Sequence, residues 1–246
     1  MNVYKADLHI HTILSPCASL EMSPKNIVQR ALEQNLDIIG ITDHNSTLQC
    51  EIVIKEALKE GLKVYPGVEV TTKEEIHCLA YFSSLNDLSE FQTYLDQYMP
   101  NIKNDPKLFG YQVVVDENEN IVYEEDKLLI SALQIGIDKV EQLVHELNGI
   151  FIPAHVNKSK NSLISQLGFV PSTLKADAFE ITKQTDNQSF ISQNRLKSDT
   201  VILRNSDAHM LEQIGENVTF LSMESVEFSE FSLALNSLSG RKVILQ

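Results

Sequence analysis

The pair His9-Ile10-His11 closes an apolar segment near the start of the chain, and its spacing carries chemistry. Side chains two residues apart on a strand leave the same face, so both imidazoles can reach one ion. An HxH pair alone is a weak signal. Here it is followed by Thr42-Asp43-His44-Asn45, Gly67-Val68-Glu69 and Ser206-Asp207-Ala208-His209, each at or just past the end of an apolar run. His77 lies within a further such run and His155 ends another. Neutral imidazole combined with carboxylate oxygen suits zinc, manganese or iron better than calcium. Glu69 is suited to bridging two ions, because each carboxylate oxygen can face one.

Other residues read differently. His77 and Cys78 are neighbours on a strand and face opposite ways, so a His77 facing the site leaves Cys78 to core packing. His145 falls in a helical pattern between Val144 and Leu147 and reads as structural or exposed. Asp7 either steadies a histidine tautomer or caps a strand. Lys158 and Arg204 are the cations placed to bind a substrate phosphate, if they are not simply surface or packing residues.

The elements that would position these groups alternate between short apolar strands and amphipathic helices. Strands are expected at Val3–Ile10, Asp37–Thr42, Lys63–Val70, Ile76–Phe82, Gly149–His155, Ala176–Ile181, Thr200–Asn205 and Lys242–Leu245. Ser23-Pro24 opens a helix running to about Asn35, and Ser46 or Thr47 is the expected cap of the next, which stops near Gly61. Further helices are expected over Asp138–Asn148 and Glu230–Leu238. Strand, crossover helix, strand is the pattern of parallel pairing, with functional groups at the strands' C-terminal ends. Pro100–Ile137 breaks the rhythm. It holds a hairpin, Gln112–Val115 and Ile121–Tyr123, joined by the acidic turn Asp116–Asn120, and reads as an insertion, either a lid or a solvated excursion.

The 246 residues suffice for one domain with a sizeable core, 1–246. A formal charge of −14 argues against duplex nucleic acid as a partner, without excluding a small anionic substrate. Three cysteines form no CxxC pair, so a disulfide framework is not expected. No run approaches the roughly 20 apolar residues of a membrane span, and no signal peptide is visible, which makes a cytoplasmic location the expectation. Nothing in the sequence sets an oligomeric state.

Together, ADLHIHT, ITDHNS, PGVEV, EEIHCLAYF, IPAHV and RNSDAH closely resemble the PHP family, the polymerase and histidinol phosphatase domains. The resemblance implies an α/β fold built as a distorted seven-stranded (β/α) barrel, two or three divalent ions (Zn, Mn or Fe), and a metal-dependent phosphoesterase. By this resemblance His9, His11 and Asp207 would hold one ion and Glu69 would bridge to a second, completed by His77 and His155. His44 and His209 would hold a third. Family members often supply another histidine or aspartate after the HxH pair. Here Cys17 stands in that stretch, either as a thiolate ligand favouring zinc or as a small packing residue.

The reaction implied is hydrolysis of a small phosphomonoester by water acidified between two ions, with Asp207 in the machinery. His209 or a metal-bound water would protonate the leaving group. The alternatives are a phosphodiesterase or exonuclease acting on short nucleic-acid ends, and a metal-binding regulatory protein without turnover. His9→Ala or Glu69→Ala is expected to lower both bound metal, by elemental analysis, and phosphoester turnover. Full activity in both variants would remove the proposed site.

Overall fold

A computed structural model describes residues 1–182 and 185–244. Its strands are β1 (Asn2–Ile10), β2 (Ile38–Ile41), β3 (Lys63–Thr71), β4 (His77–Tyr81), β5 (Val113–Val115), β6 (Ile121–Glu124), β7 (Ile150–Pro153), β8 (Phe179–Glu180), β9 (Ile202–Leu203), β10 (Thr219–Met223) and β11 (Lys242–Ile244). Its α-helices are α1 (Pro24–Glu33), α2 (Cys50–Glu60), α3 (Leu85–Tyr98), α4 (Pro106–Phe109), α5 (Ile137–Glu146), α6 (Leu163–Leu167), α7 (Asn187–Gln193) and α8 (Phe228–Leu235). The expected strands and helices are all present, though several are shorter. Leu245, the last residue of the final expected strand, lies outside the described residues. β10 and the long helix α3 were not anticipated.

Seven strands form one sheet in the order β11-β10-β1-β2-β3-β4-β7, and β8 and β9 form a separate parallel pair. Backbone hydrogen bonds tie this pair to β7, from Val156 N–H to the Glu180 carbonyl at 2.9 Å, and Ala208 N–H reaches the His9 carbonyl of β1 at 3.1 Å. The architecture is therefore α/β with a curled seven-stranded sheet, and the sheet's own ladder ends at β7 and β11. The expected parallel pairing holds for only part of the sheet. β1, β2 and β3 are parallel, but β4 runs antiparallel to both β3 and β7, and β10 antiparallel to β1. The reason is local. Only a tight turn separates β3 from β4, with Glu75 at φ 60°, and so short a link permits antiparallel neighbours only.

Side-chain alternation divides the core into an inner and an outer layer. Ala6, Leu8, Ile38, Tyr65, Leu79, Tyr81, Ile152, Ala178 and Leu203 meet α8 residues Phe231, Ala234 and Leu235 in one buried cluster. Residues from both sheets share this cluster, so the strands wrap round a common interior. Ile39, Ile41, Val68, Val70, Cys78, Ala80 and Phe151 face the other way and pack in the larger cluster that includes α1, α2, α3 and α5 residues. Cys78 is thus core packing. Pairing between β1 and β2 is irregular between Asp7 and Ile10, and there the alternation reverses. Leu8 belongs to the inner cluster and Ile10 to the outer. The irregularity turns His9 and His11 to the inner side, a common use of a bulge.

Two expected caps are not used. Ser23 precedes Pro24 but makes no side-chain cap, its hydroxyl donating instead to Glu119 at 2.5 Å. Helix α2 starts at Cys50, after Ser46 and Thr47, and the Thr47 hydroxyl donates to Gln92 at 2.8 Å. The inserted hairpin is half in and half out: β5 is buried and β6 exposed. Val114 packs with Leu14 and Leu129, which sets the hairpin beside the loop that follows the HxH pair.

At Gly40 the backbone of β2 lies close against that of β1. A Cβ there would sit 2.3 Å from the Leu8 carbonyl oxygen, so β1 and β2 would have to part. Gly40→Ala is expected to cost ~1–3 kcal/mol or more, measured as a lower urea midpoint. An unchanged midpoint would contradict this packing.

Candidate metal centre

The inner faces of β1, β3 and β4 carry their polar residues toward one end of the interior. On β3 the inner positions run Tyr65, Gly67, Glu69, so the same alternation that buries Tyr65 aims Glu69 inward. His44 follows β2 and pairs with Glu69 through a parallel bridge. His77 begins its strand, and because β4 is antiparallel its first residue lies level with the last residues of β3. His155 follows β7, and Asp207 and His209 follow β9.

One group is built from His9, His11, Glu69 and Asp207. His9 Nε2 and His11 Nε2 are 3.2 Å apart, and Asp207 Oδ1 lies 3.3 Å from the first and 3.4 Å from the second. Glu69 closes the set, with Oε1 3.3 Å from His9 Nε2 and Oε2 3.4 Å from His11 Nε2. Ligands about 2.0–2.1 Å from a tetrahedral zinc stand about 3.3 Å from one another, so the separations fit a shared divalent ion. A second group, His44, Glu69 and His77, adjoins it. His77 Nδ1 and His155 Nε2 approach the same Glu69 oxygen at 3.0 and 3.2 Å, and His44 Nδ1 lies 3.1 Å from the other. His11, His44 and His209 form a third group, in which His209 stacks on His11 with ring centroids 4.0 Å apart.

The donor set suits a cation on two further grounds. His44 Nδ1 and Glu69 Oε2 are buried without a hydrogen-bond partner, an expensive state for a polar atom unless an ion takes it up. Three imidazoles are held by Nδ1, leaving Nε2 to face the centre. Nδ1 of His9 lies 3.1 Å from Glu180, that of His11 3.0 Å from the Ser15 hydroxyl, and that of His209 2.9 Å from the Asp207 carbonyl. The Ser15 hydroxyl in turn donates to Asp43 at 2.7 Å.

Charge balance follows from burial and neighbours. Burial opposes ionisation of Glu69, but the imidazoles of His77, His9 and His44 outweigh it and hold its carboxyl well below the usual range. Burial likewise opposes charge on His9, yet Glu180, Asp207 and Glu69 raise its pKa well above the ordinary value. Burial, with His11 adding, pushes His44 down to about 4 and His209 down to about 3. Both are neutral at physiological pH, the state in which imidazole ligates metal.

Two of these residues sit in the left-handed backbone region, His155 at φ 30° and Asp207 at φ 55°. Such a conformation costs a non-glycine residue about 1–2 kcal/mol. His155 is held there by its N–H on Glu180 at 2.8 Å, and Asp207 by the pairing of Ala208 with β1.

The remaining expected residues divide. Lys158 donates to Asp207 Oδ2 and lines two adjoining cavities of about 480 and 220 Å³ that open on the centre. Arg204 lines neither, and its guanidinium donates to the Thr185 carbonyl at 2.7 Å. Cys17 stands outside all three groups. The residue is exposed, but its thiol is desolvated by surrounding protein, which with Glu69 pushes its pKa up to about 12. His145 pairs with Asp177 at 3.0 Å on α5, away from the centre. Asp7 touches no histidine side chain. It accepts from the N–H groups of Ser206 at 3.0 Å and Gly215 at 2.9 Å, anchoring β1 to the loop after β9. Glu180 was missed. Its signal was the alternation Ala178, Glu180 within the expected strand Ala176–Ile181, which puts a carboxylate on the same face as an inner apolar residue.

The family model of the PHP domain matches residues 7–181. The chain belongs to the PHP family, whose members are metal-dependent phosphoesterases. It is 24% identical over 278 residues to YqxK of Bacillus subtilis, covering 97% of this chain and 63% of that protein. It superposes on the lesion-specific endonuclease Q of Pyrococcus furiosus with a TM-score of 0.76 at 23% identity, over 99% of this chain and 58% of that one. A complex of endonuclease Q with a 27-mer duplex carrying an abasic lesion at its active site gives a TM-score of 0.71 at 22% identity, over 98% of this chain and 58% of that one. The chain thus spans about three-fifths of the length of these relatives. The expectation that duplex nucleic acid is excluded as a partner is overturned, because a protein of this fold holds a duplex at its active site. Net charge describes the whole surface and does not decide what one cleft accepts.

Among the described residues no helix is long and apolar enough to cross a membrane. Cys17→Ser is expected to leave metal stoichiometry unchanged, measured by elemental analysis after dialysis. A fall of about one ion per chain would place the thiolate in the ligand set.

Proposed function

We propose that the chain is a metal-dependent phosphodiesterase acting on a nucleic-acid strand. The observation that carries this reading is the set of His9, His11 and Asp207 atoms 3.2–3.4 Å apart, sharing Glu69 with a second group beside an open cleft. The likeness to endonuclease Q, whose active site takes an abasic lesion in a duplex, favours a diester over the small phosphomonoester first expected. When bound, two divalent ions would acidify water and neutralise phosphoryl oxygens.

In this reading His9, His11 and Asp207 would hold one ion, Glu69 would be shared with a second, and His77 and His155 would complete that second position. Zinc, manganese and iron all suit this donor set. His44 and His209 converge with His11 on a third position. A neutral His209 fits a ligand role better than that of a proton donor to the leaving group. Lys158 sits on Asp207 through a flexible stem at the mouth of the cleft. From there its ammonium can transfer to a non-bridging phosphate oxygen of the substrate. Arg204 is engaged with a backbone carbonyl and does not line the cleft.

The test is to assay the protein with manganese, zinc or iron on labelled single-stranded, duplex and abasic-site oligonucleotides, and on a phosphomonoester. Diester cleavage is expected in preference to monoester hydrolysis. Lys158→Ala is expected to raise KM for the oligonucleotide about 10-fold or more with a smaller effect on kcat, the loss of one charged hydrogen bond. Monoester turnover with intact oligonucleotides would overturn the diester reading in favour of a phosphatase.

A further inference from the structure

Glu180 stands on the inner face of β8 and is only 2% exposed. Its carboxylate meets donors from three directions. His9 Nδ1 lies 3.1 Å from both oxygens. The His155 backbone N–H donates to Oε2 at 2.8 Å, and Asn205 Nδ2 donates to Oε1 at 2.8 Å. Asn205 cannot turn its amide round, because its Oδ1 already accepts from Leu8 N–H at 3.0 Å. None of these partners accepts a hydrogen bond from Glu180. Only a carboxylate satisfies them all, since an amide would set one of its own N–H groups against another donor. A buried carboxylate is costly to keep, and so complete a shell of donors is what sustains it.

The two partners of most consequence belong to different halves of the centre. His9 gives its Nδ1–H to Glu180 and so turns a free Nε2 toward His11, Glu69 and Asp207. His155 is held by its N–H at φ 30°, and this brings its Nε2 to 3.2 Å from Glu69 Oε1. We infer that Glu180 is a positioning residue for both ion positions at once, setting the tautomer of His9 and the backbone of His155 with one carboxylate. The inference rests on the metal-centre reading above. It joins β1 and β7 through a strand that is not part of their sheet.

The test uses metal-free protein titrated with manganese and, separately, with cobalt, read by chelator competition and by cobalt visible absorption. Glu180→Gln is expected to weaken binding of both equivalents about 10–100-fold and to alter the cobalt spectrum, the size of effect seen when the outer partner of a metal ligand is lost. Glu180→Asp keeps the charge but is one methylene short of reaching both partners, and is expected to weaken binding less. Glu141→Gln serves as control. Its buried carboxylate accepts from Lys175 N–H at 3.1 Å on α5, and its metal binding is expected to match wild type. Wild-type affinity for both equivalents in a folded Glu180→Gln would overturn the inference, as would a loss confined to one equivalent. If circular dichroism shows that Glu180→Gln does not fold, Glu180→Asp decides by the same criteria. Wild-type protein that binds neither ion would overturn the metal-centre reading itself, and this inference with it.

Discussion

A single buried carboxylate, that of Glu69, organises the interior. It is fully enclosed, and imidazole nitrogens of His9, His11, His44, His77 and His155 approach its two oxygens at 3.0–3.4 Å. An ionised carboxylate in so dry a place is tolerated only with compensating positive charge. Asp207 and Glu180 add further negative charge nearby. The ammonium of Lys158 supplies part of the balance, and divalent ions held by neutral imidazoles would supply the rest.

The fold meets this demand by dividing its interior along the strand axes. At one end the inner face is apolar, where Tyr65, Tyr81 and Leu221 pack against Phe231 of α8. At the other end the same alternation presents His9, Glu69, His77 and Glu180. The apolar end supplies stability through burial, and the polar end costs stability through desolvation and through left-handed backbone at His155 and Asp207. One framework therefore supports both, and a bulge in β1 is the adjustment that brings the HxH pair into line.

Much of this was legible in the sequence. The motif residues stand at strand ends because polar groups interrupting apolar runs have few other places to go. His77 was visible but its setting was not, since short-range pattern does not reveal that β4 runs antiparallel. Glu180 escaped because a lone acid on a two-residue strand looks like a solvated position until the strand's inner face is known. The caps at Ser46 and Thr47 failed because their turn precedes the helix by several residues, and Thr47 bonds instead to Gln92 of α3, an element the pattern did not disclose. The exclusion of duplex nucleic acid failed for a different reason: a sum of charges has no location.

The most direct test of the central claim is anomalous diffraction from crystals grown with manganese. Anomalous peaks contacted by His9, His11 and Asp207, with Glu69 reaching two of them, are the result predicted. Peaks elsewhere on the molecule, or none near Glu69 at saturating manganese, would contradict it.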